Sequence, residues 1–524
     1  SDVYKRQLLT SGCSYASDAA MACDTCASGI YGPAMNSLRS LVLLALTLLT
    51  SGCSYASDAA MTCFINNGQD FSKVLGCYKQ AQADQALTHK FIGSTLFPGV
   101  ERRRFELQSQ RWTGHDFARP TDWVHTVDIY IPQAALNSQA LLIANNGINI
   151  PATDKPLQPS TDFTEEMALG IARQTQTIVV SVSNIPNQYL TYTDDDLARR
   201  EDDSVAHSWS LFLKNPETRP FLSLHIPMML TLVKAMDLAQ QELKPWQIDR
   251  FIASGASKRG WAVWMTALTD SRVSAIAPFV IDILNTKAVL KHTYGAYGKS
   301  WPIAFNAYHH EGITQQLETA DFDKLMQIED PLLYVKSSTD RMTIPKYIVN
   351  ASSDDFFLPD NARFYFDALP GTKMLRVAPN ASHYGIKAFI ESSLIAFTNR
   401  LQQKRPLPTL TTIEKTESAS SKMQLGFSER PTKLVQWRAF NLNDRDFRLA
   451  CGIRYEATPI VMTENNTLTV ELNSPEEGWS ANYIEATMAD GLVISTPVLV
   501  LPHTYPTWTP KQIGPACRNL NDPA

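Results

Sequence analysis

The chain has 524 residues, 44% of them hydrophobic and 19% charged, an ordinary globular composition with enough apolar material for a large core and a second domain. Lysine and arginine number 47 against 52 aspartate and glutamate, a formal charge of −5, so no polyanion-binding surface and no nucleic-acid partner is expected. Thirty prolines and ten tryptophans argue for ordered loops rather than a helical bundle.

Leu8–Met21 (LLTSGCSYASDAAM) is repeated without change at Leu48–Met61. Two processing sites in tandem have no physical use, so residues 1–34 read as a gene-model artefact and are set aside. From Met35 onward, Arg39 supplies a positive start and Leu41–Leu49 an apolar stretch too short to span a membrane. Ser51, Gly52 and Cys53 follow, so 35–60 reads as an export signal. Acylation of Cys53, which would anchor the protein to a membrane as a lipoprotein, and ordinary cleavage after Ala56 or Ala60 are both open. The expected location is outside the cytoplasm: periplasm, outer membrane or secreted. Four cysteines remain in the body, and an even number in an exported chain favours disulfides. Cys63–Cys77 and Cys451–Cys517 are the simplest pairs, although spacing alone does not fix the pairing and buried thiols are the alternative. No Cys-x-x-Cys pair lies there, so no zinc knuckle and no metal or cofactor is expected.

Residues 61–403 alternate strand and helix patterns. Val124–Pro132 has the period-two alternation of an antiparallel strand, whereas Ala140–Gly147 and Thr177–Asn184 are short apolar runs ending in turn residues, as buried parallel strands do. Helices are predicted over 163–174 and 224–243. Strand, tight turn and helix follow in Ile248–Leu268, then strands in Ala275–Asp282, Lys346–Phe356 and Lys373–His383, and a helix from Gly385 to Leu401. This rhythm predicts a mostly parallel sheet with helices on both faces. Residues 283–343, rich in Tyr, Trp and His, break it and read as a cap insertion. The Pro/Ser/Thr-rich stretch 404–422 reads as a linker, and 423–524 repeats short strands at roughly ten-residue intervals, predicting a β-sandwich.

The chemistry concentrates at Gly255-Ala256-Ser257-Lys258-Arg259-Gly260. A nucleophilic serine needs a sharp strand-to-helix turn flanked by small residues, and the same turn aims the Lys258 amide at a developing oxyanion. Arg259 occupies the second small position of the usual Gly-x-Ser-x-Gly pattern, with Gly260 one residue later. The competing role for Ser257 is a helix cap. A base and an acid are needed as well, in the chain order Ser, Asp or Glu, His. Asp354 is the preferred acid, with Asp355 and Asp282 as alternatives, and His383 is the base. Asn146 or Gly147 would give the second oxyanion donor. The acidic runs Asp194–Asp196 and Glu201–Asp203 read either as a patch favouring cationic substrates, basic peptides included, or as a solvated loop. His309-His310-Glu311 in the cap reads as surface rather than metal site.

EDDSVAHSWSLFL (201–213), SGASKRGWAVWMTALTDSRVSAIAPFVIDILN (254–285), NASSDDFFLPDNARFYFDALPG (350–371), VAPNASHYG and QWRAFNLNDRDFR resemble the PhoPQ-activated pathogenicity-related proteins. That resemblance implies an α/β-hydrolase fold with a C-terminal β-domain and carries Ser257, Asp354 and His383 as the functional residues. It also implies a link to virulence, because that is what the family name records. The expected function is therefore an exported serine hydrolase acting on an ester or peptide substrate. The alternative is a catalytically silent binding or adhesion protein on the same scaffold. Nothing in the sequence sets the oligomeric state.

Overall fold

The computed structural model describes residues 55–112, 117–150, 158–416, 420–462, 466–510 and 513–521. The segment 1–34 and the export signal as far as Cys53 lie outside the described residues. Helices α1 (Tyr55–Asn66) and α2 (Val74–Ala81) are joined by a Cys63–Cys77 disulfide. Ala60, one of the two expected cleavage points, is buried within α1.

Apolar runs with no polar alternation can be satisfied only by burial on both faces, and they form the middle of a nine-stranded sheet. Its strands are β1 (Thr88–Phe97), β2 (Val100–Arg111), β3 (Asp122–Pro132), β4 (Gln139–Ala144) and β5 (Val179–Val182), then β6 (Arg250–Ala256), β7 (Val273–Phe279), β8 (Lys346–Ala351) and β9 (Lys373–Ala378). They lie in the order β1-β2-β3-β5-β4-β6-β7-β8-β9. The first three strands and the β3–β5 junction are antiparallel, and from β5 to β9 every pairing is parallel. β4 is buried at all six positions and β6 at six of seven. β1 and β2 were not foreseen, because β1 is mostly exposed and β2 carries three consecutive arginines, which hides the strand alternation.

Helices α3 (Glu165–Thr175), α4 (Glu201–Leu213), α5 (His225–Glu242) and α6 (Lys258–Thr269) come between strands β4 and β7. Between β7 and β8 lies the expected cap region, with α7 (Thr286–Ala296), α8 (Asn306–His310) and α9 (Ala320–Glu329); α10 (Lys387–Gln402) follows β9. Among the described residues no helix is long and apolar enough to cross a membrane.

The stretch expected to be a linker is largely sheet. Strand β10 (Leu410–Thr416) and the start of β11 (Ser420–Phe427) fall inside 404–422, leaving only 405–409 as extended connection. Alternation such as Lys422-Met423-Gln424-Leu425, with Met423 and Leu425 buried, is a strand signal that the polar composition masks. β10, β11 and β14 (Thr467–Asn473) form one antiparallel sheet. β12 (Lys433–Asn441), β13 (Glu456–Ile460), β15 (Trp479–Thr487), β16 (Val493–Ser495) and β17 (Leu499–Leu501) form another, centred on β12 and β15. β13 begins at Glu456, and just before it Arg448 makes a buried pair with Asp446.

The central strand β15 of this second sheet is buried on both faces. Ala481 and Tyr483 of β15 join the core that contains Trp301 and Trp479, while Ile484 and Ala486 pack with Met423, Leu425, Ile390 and Phe397. The second sheet also covers the open edge of the large sheet, where β9 would otherwise present unpaired amides. There Val377 donates its N–H to Ser495 Oγ at 3.0 Å, and Tyr347 donates its hydroxyl to the Val493 carbonyl at 2.6 Å. The chain's far end reaches back to the cap: residues 519–521 pair antiparallel with Ser300–Pro302, next to the Cys451–Cys517 disulfide.

Candidate active site

The turn after the central strand β6 is built by two glycines that leave no room for side chains. A Cβ on Gly255 would stand 2.8 Å from the Arg259 carbonyl carbon and oxygen, and one on Gly260 would stand 2.9 Å from the Gly255 carbonyl oxygen. The second small residue therefore belongs at 260, the side of α6 that faces β6, and Arg259 is free to point elsewhere. Between them Ser257 takes φ 56° and ψ −131°, a conformation costly for a residue with a side chain. Its N–H donates to the Phe279 carbonyl at 2.8 Å, and its carbonyl accepts from Trp261 N–H at 3.0 Å. The side chain makes no capping bond to α6, which sets aside the helix-cap reading. The Lys258 amide opens α6, where N–H groups have no partner within the helix.

Asp354 follows β8 and His383 follows β9. His383 Nδ1 lies 2.9 Å from Asp354 Oδ1 and 3.0 Å from Oδ2, and both side chains are buried. Asp354 is fixed in turn by the N–H groups of Phe356 (2.8 Å) and Phe357 (3.3 Å) on its Oδ1. Burial alone would depress the His383 pKa, but the Asp354 carboxylate outweighs it and holds the imidazole above its ordinary value.

The alternative acids are placed otherwise. Asp355 is the next residue on the same turn; burial, then the Asp354 charge, push its carboxyl up to about 6. Asp282 accepts the Tyr365 hydroxyl at 2.5 Å, and burial raises its pKa well above the carboxylate range.

His383 is packed by Phe356 and Phe357, with ring centroids 4.6 and 5.9 Å away, and both phenyl rings line a pocket that also holds Ser257 and Lys258. Eight of the sixteen residues lining it, Leu290, Phe305 and Tyr308 among them, come from the cap, while Trp209 of α4 and Trp261 of α6 close the base. The His383 loop is also gripped from the C-terminal sheets. Asn380, at φ 53°, donates Nδ2 to the Tyr455 carbonyl at 2.9 Å and accepts the Tyr455 N–H at 2.7 Å.

Asn146 does not serve as expected. Its N–H donates to Asn145 Oδ1 at 3.0 Å, and its side-chain Oδ1 accepts from the N–H groups of Thr161 (2.7 Å) and Asp162 (3.0 Å), so it organises its own loop. Gly147 sits at φ 132°, where a Cβ would lie 2.4 Å from Asn184 Oδ1. Neither residue lines the Ser257 pocket.

The two acidic runs differ: Asp194–Asp196 is an exposed turn, as the solvated-loop reading has it, whereas Glu201 and Asp202 are drawn into an ion-pair network. Glu201 Oε2 lies 2.9 Å from Lys258 Nζ and its Oε1 2.5 Å from Arg259 Nη2, while Asp202 is 3.2 Å from Lys258. Arg259 also meets Asp162 at 3.3 Å, and Asp162 meets Lys387 at 3.3 Å. Burial opposes ionisation of Glu201, but Arg259 and Lys258 hold its pKa far below the usual range. Asp194, Asp195 and Asp196 pair with His207, Arg199 and Arg119. Sequence reasoning missed this network. Its signal was two cations directly after Ser257, which must be buried by the turn and so need counter-charges. The His309-His310-Glu311 run is divided among protein partners: Glu311 binds His207 Nδ1 at 2.8 Å, and His309 Nδ1 lies 3.0 Å from Thr314 Oγ1.

A mostly parallel sheet in this strand order, with a strained serine turn after its central strand and a carboxylate-bound imidazole after its last, defines an α/β-hydrolase-fold protein. More particularly, the chain belongs to the PhoPQ-activated pathogenicity-related protein family, whose model matches residues 75–448. It is 32% identical over 443 residues to autocrine proliferation repressor protein A of Dictyostelium discoideum, covering 79% of this chain and 86% of that protein. Similar solved structures include an acetyl xylan esterase from Paenibacillus sp. R4, at 11% identity and a TM-score of 0.41, covering 63% of this chain and 93% of that one. Acetyl xylan esterase 1 from Thermoanaerobacterium sp. JW/SL YS485 is similar at 14% identity and a TM-score of 0.39, covering 60% and 88%.

Proposed function

We propose that the protein is a serine hydrolase that cleaves an ester or amide through an acyl-enzyme, acting outside the cytoplasm. The observation that carries this is His383, bound through Nδ1 to both oxygens of buried Asp354 and packed on rings that share a pocket with Ser257. With Nδ1–H held by the carboxylate, Nε2 is the basic nitrogen. It takes the Ser257 proton as Oγ adds to the carbonyl carbon. The Lys258 amide holds the oxyanion. His383 then returns the proton to the leaving alcohol or amine as its bond to carbon breaks. Water, deprotonated by the same imidazole, attacks the acyl-enzyme, releases the acid and restores the serine.

Two disulfides support an oxidising compartment. The family's name points to virulence and the relative's to repression of proliferation; an acyl-transfer site would serve either. The deciding experiment is labelling by a fluorophosphonate probe. Wild type should label and Ser257→Ala should not. Folded wild type that stays unlabelled, and that turns over no ester or peptide in a broad screen, would instead make the molecule a silent binding protein.

A further inference from the structure

The wall of the Ser257 pocket carries several groups able to hydrogen bond, and what each is bound to decides what the pocket can accept. Trp209 Nε1 donates to Ser223 Oγ at 3.3 Å, and Trp261 Nε1 to the Glu329 carbonyl at 2.5 Å, so both indoles show the pocket their rings. The Tyr308 hydroxyl donates to Asp202 Oδ1 at 3.1 Å, and Thr286 Oγ1 to the Ile283 carbonyl at 2.8 Å. Thr314 Oγ1 lies within 3.0 Å of both His309 and Gln315. Lys258 is held by Glu201 and Asp202.

Charge balances in the same way. The network behind this wall contains three carboxylates, Asp162, Glu201 and Asp202, and three cations, Lys258, Arg259 and Lys387, in contact with one another. A cationic substrate group entering here would find no carboxylate without a partner and would lose its hydration, a cost of several kcal/mol for an unpaired buried charge. An apolar group would instead displace water from Ile281, Leu290, Phe305, Ile313 and Leu317. The leaving group must lie against His383 to receive its proton. Ser257 and Lys258 wall the pocket, so the group bonded to the carbon that Ser257 attacks, the acyl group, is the part of the substrate placed to enter it.

We infer that this pocket binds an uncharged apolar acyl group, aromatic or aliphatic, and discriminates against a cationic one. This rests on the serine-hydrolase reading above and specifies its substrate class. Glu201 and Asp202 then act as internal counter-charge, not as recognition.

The test is a series of 4-nitrophenyl esters differing only in the acyl part: heptanoate, phenylacetate and 6-aminohexanoate, the last matching heptanoate in length but cationic at neutral pH. Wild type should prefer heptanoate and phenylacetate over 6-aminohexanoate by about 100-fold in kcat/KM, the scale of one poorly matched pocket group. Thr314→Asp, at a half-buried wall position, adds a carboxylate without a cation and should move the ratio at least about 10-fold toward 6-aminohexanoate. Equal rates for the three esters, or a wild-type preference for the cationic one, would overturn the inference while leaving the hydrolase intact. A ratio unmoved in folded Thr314→Asp would overturn it too. Loss of fluorophosphonate labelling together with no turnover of any ester would instead overturn the hydrolase reading.

Discussion

Adjacent carboxylates in the segment Asp354-Asp355 allow a sharp comparison, because the structure gives them opposite surroundings. Asp354→Asn keeps the size of the side chain but removes the charge that stabilises the imidazolium as Ser257 loses its proton. A unit charge pair at about 4 Å, in the effective dielectric of a partly buried site, is worth roughly 4 kcal/mol. Serine triads stripped of their aspartate charge lose about 10⁴ in kcat. We expect a fall of about 10³- to 10⁴-fold in kcat on 4-nitrophenyl esters. The acid limb of the pH–rate profile should also move. In wild type it lies above the ordinary histidine value, because Asp354 raises the His383 pKa and only the neutral ring can act as base. Without the charge it shifts to lower pH. Asp355→Asn should behave in the opposite way, keeping activity within about 10-fold, since it is Asp354 that holds His383 Nδ1. It should change stability instead. Asp355 titrates near 6 in the fold, roughly two units above its unfolded value, so ionising it costs the folded state up to about 3 kcal/mol. The unfolded chain binds fewer protons here between about pH 4 and 6, so wild-type stability falls across that range, and the fall should be missing in the variant. Urea unfolding should show Asp355→Asn more stable by about 1–3 kcal/mol at pH 8 and unchanged near pH 4. An Asp355→Asn enzyme as inactive as Asp354→Asn, or an Asp354→Asn enzyme of full activity, would refute the assignment.

Gly260→Ala should destabilise the fold by about 1–3 kcal/mol in chemical denaturation and weaken Ser257 labelling, because the new methyl meets the Gly255 carbonyl at 2.9 Å and the turn must open. Glu201→Gln should cost about 2–3 kcal/mol at pH 7, below the usual range for breaking a buried pair because Asp162 and Asp202 remain. That loss should vanish in strong acid, where the depressed carboxylate of wild type also takes up its proton; an equal deficit at pH 2 would sink the ion-pair account. Asn380→Gly keeps the left-handed backbone but deletes both bonds to Tyr455, so kcat should fall about 10-fold with KM held, measured by steady-state kinetics. A KM effect alone would show the clamp to be remote from His383.

The site was legible where its chemistry is local. Gly255, Ser257 and Gly260 lie within six residues, and the strand before and helix after them have clear periodicities, so the turn could be placed from the chain alone. Asp354 and His383 were legible because each follows a short buried strand in the order the fold requires. Choosing Asp354 over Asp355 rests on one residue of register, and it is Asp354 that lies against Nδ1 of His383. What stayed hidden was non-local. The acidic run at Glu201 gains its meaning from Lys258 and Arg259, more than fifty positions on, and the engagement of Asn146 depends on a loop at Thr161. The sheet at 410–427 was masked by composition: its outward residues are mostly Thr, Lys, Gln and Glu, while Met423, Leu425 and Phe427 face a core shared with α10 and β15.

The pairing of residues 519–521 with Ser300–Pro302 bears on how the molecule is made. Asn519 donates Nδ2 to Ser300 Oγ across 219 positions of chain, so the anchor of the cap emerges from the ribosome long after the nucleophile turn it shelters. A nascent chain halted before that point would carry Ser257, Asp354 and His383 beneath a lid still without its last strand. Ser300–Pro302 thus gains its strand partner only after residue 519 has been synthesised.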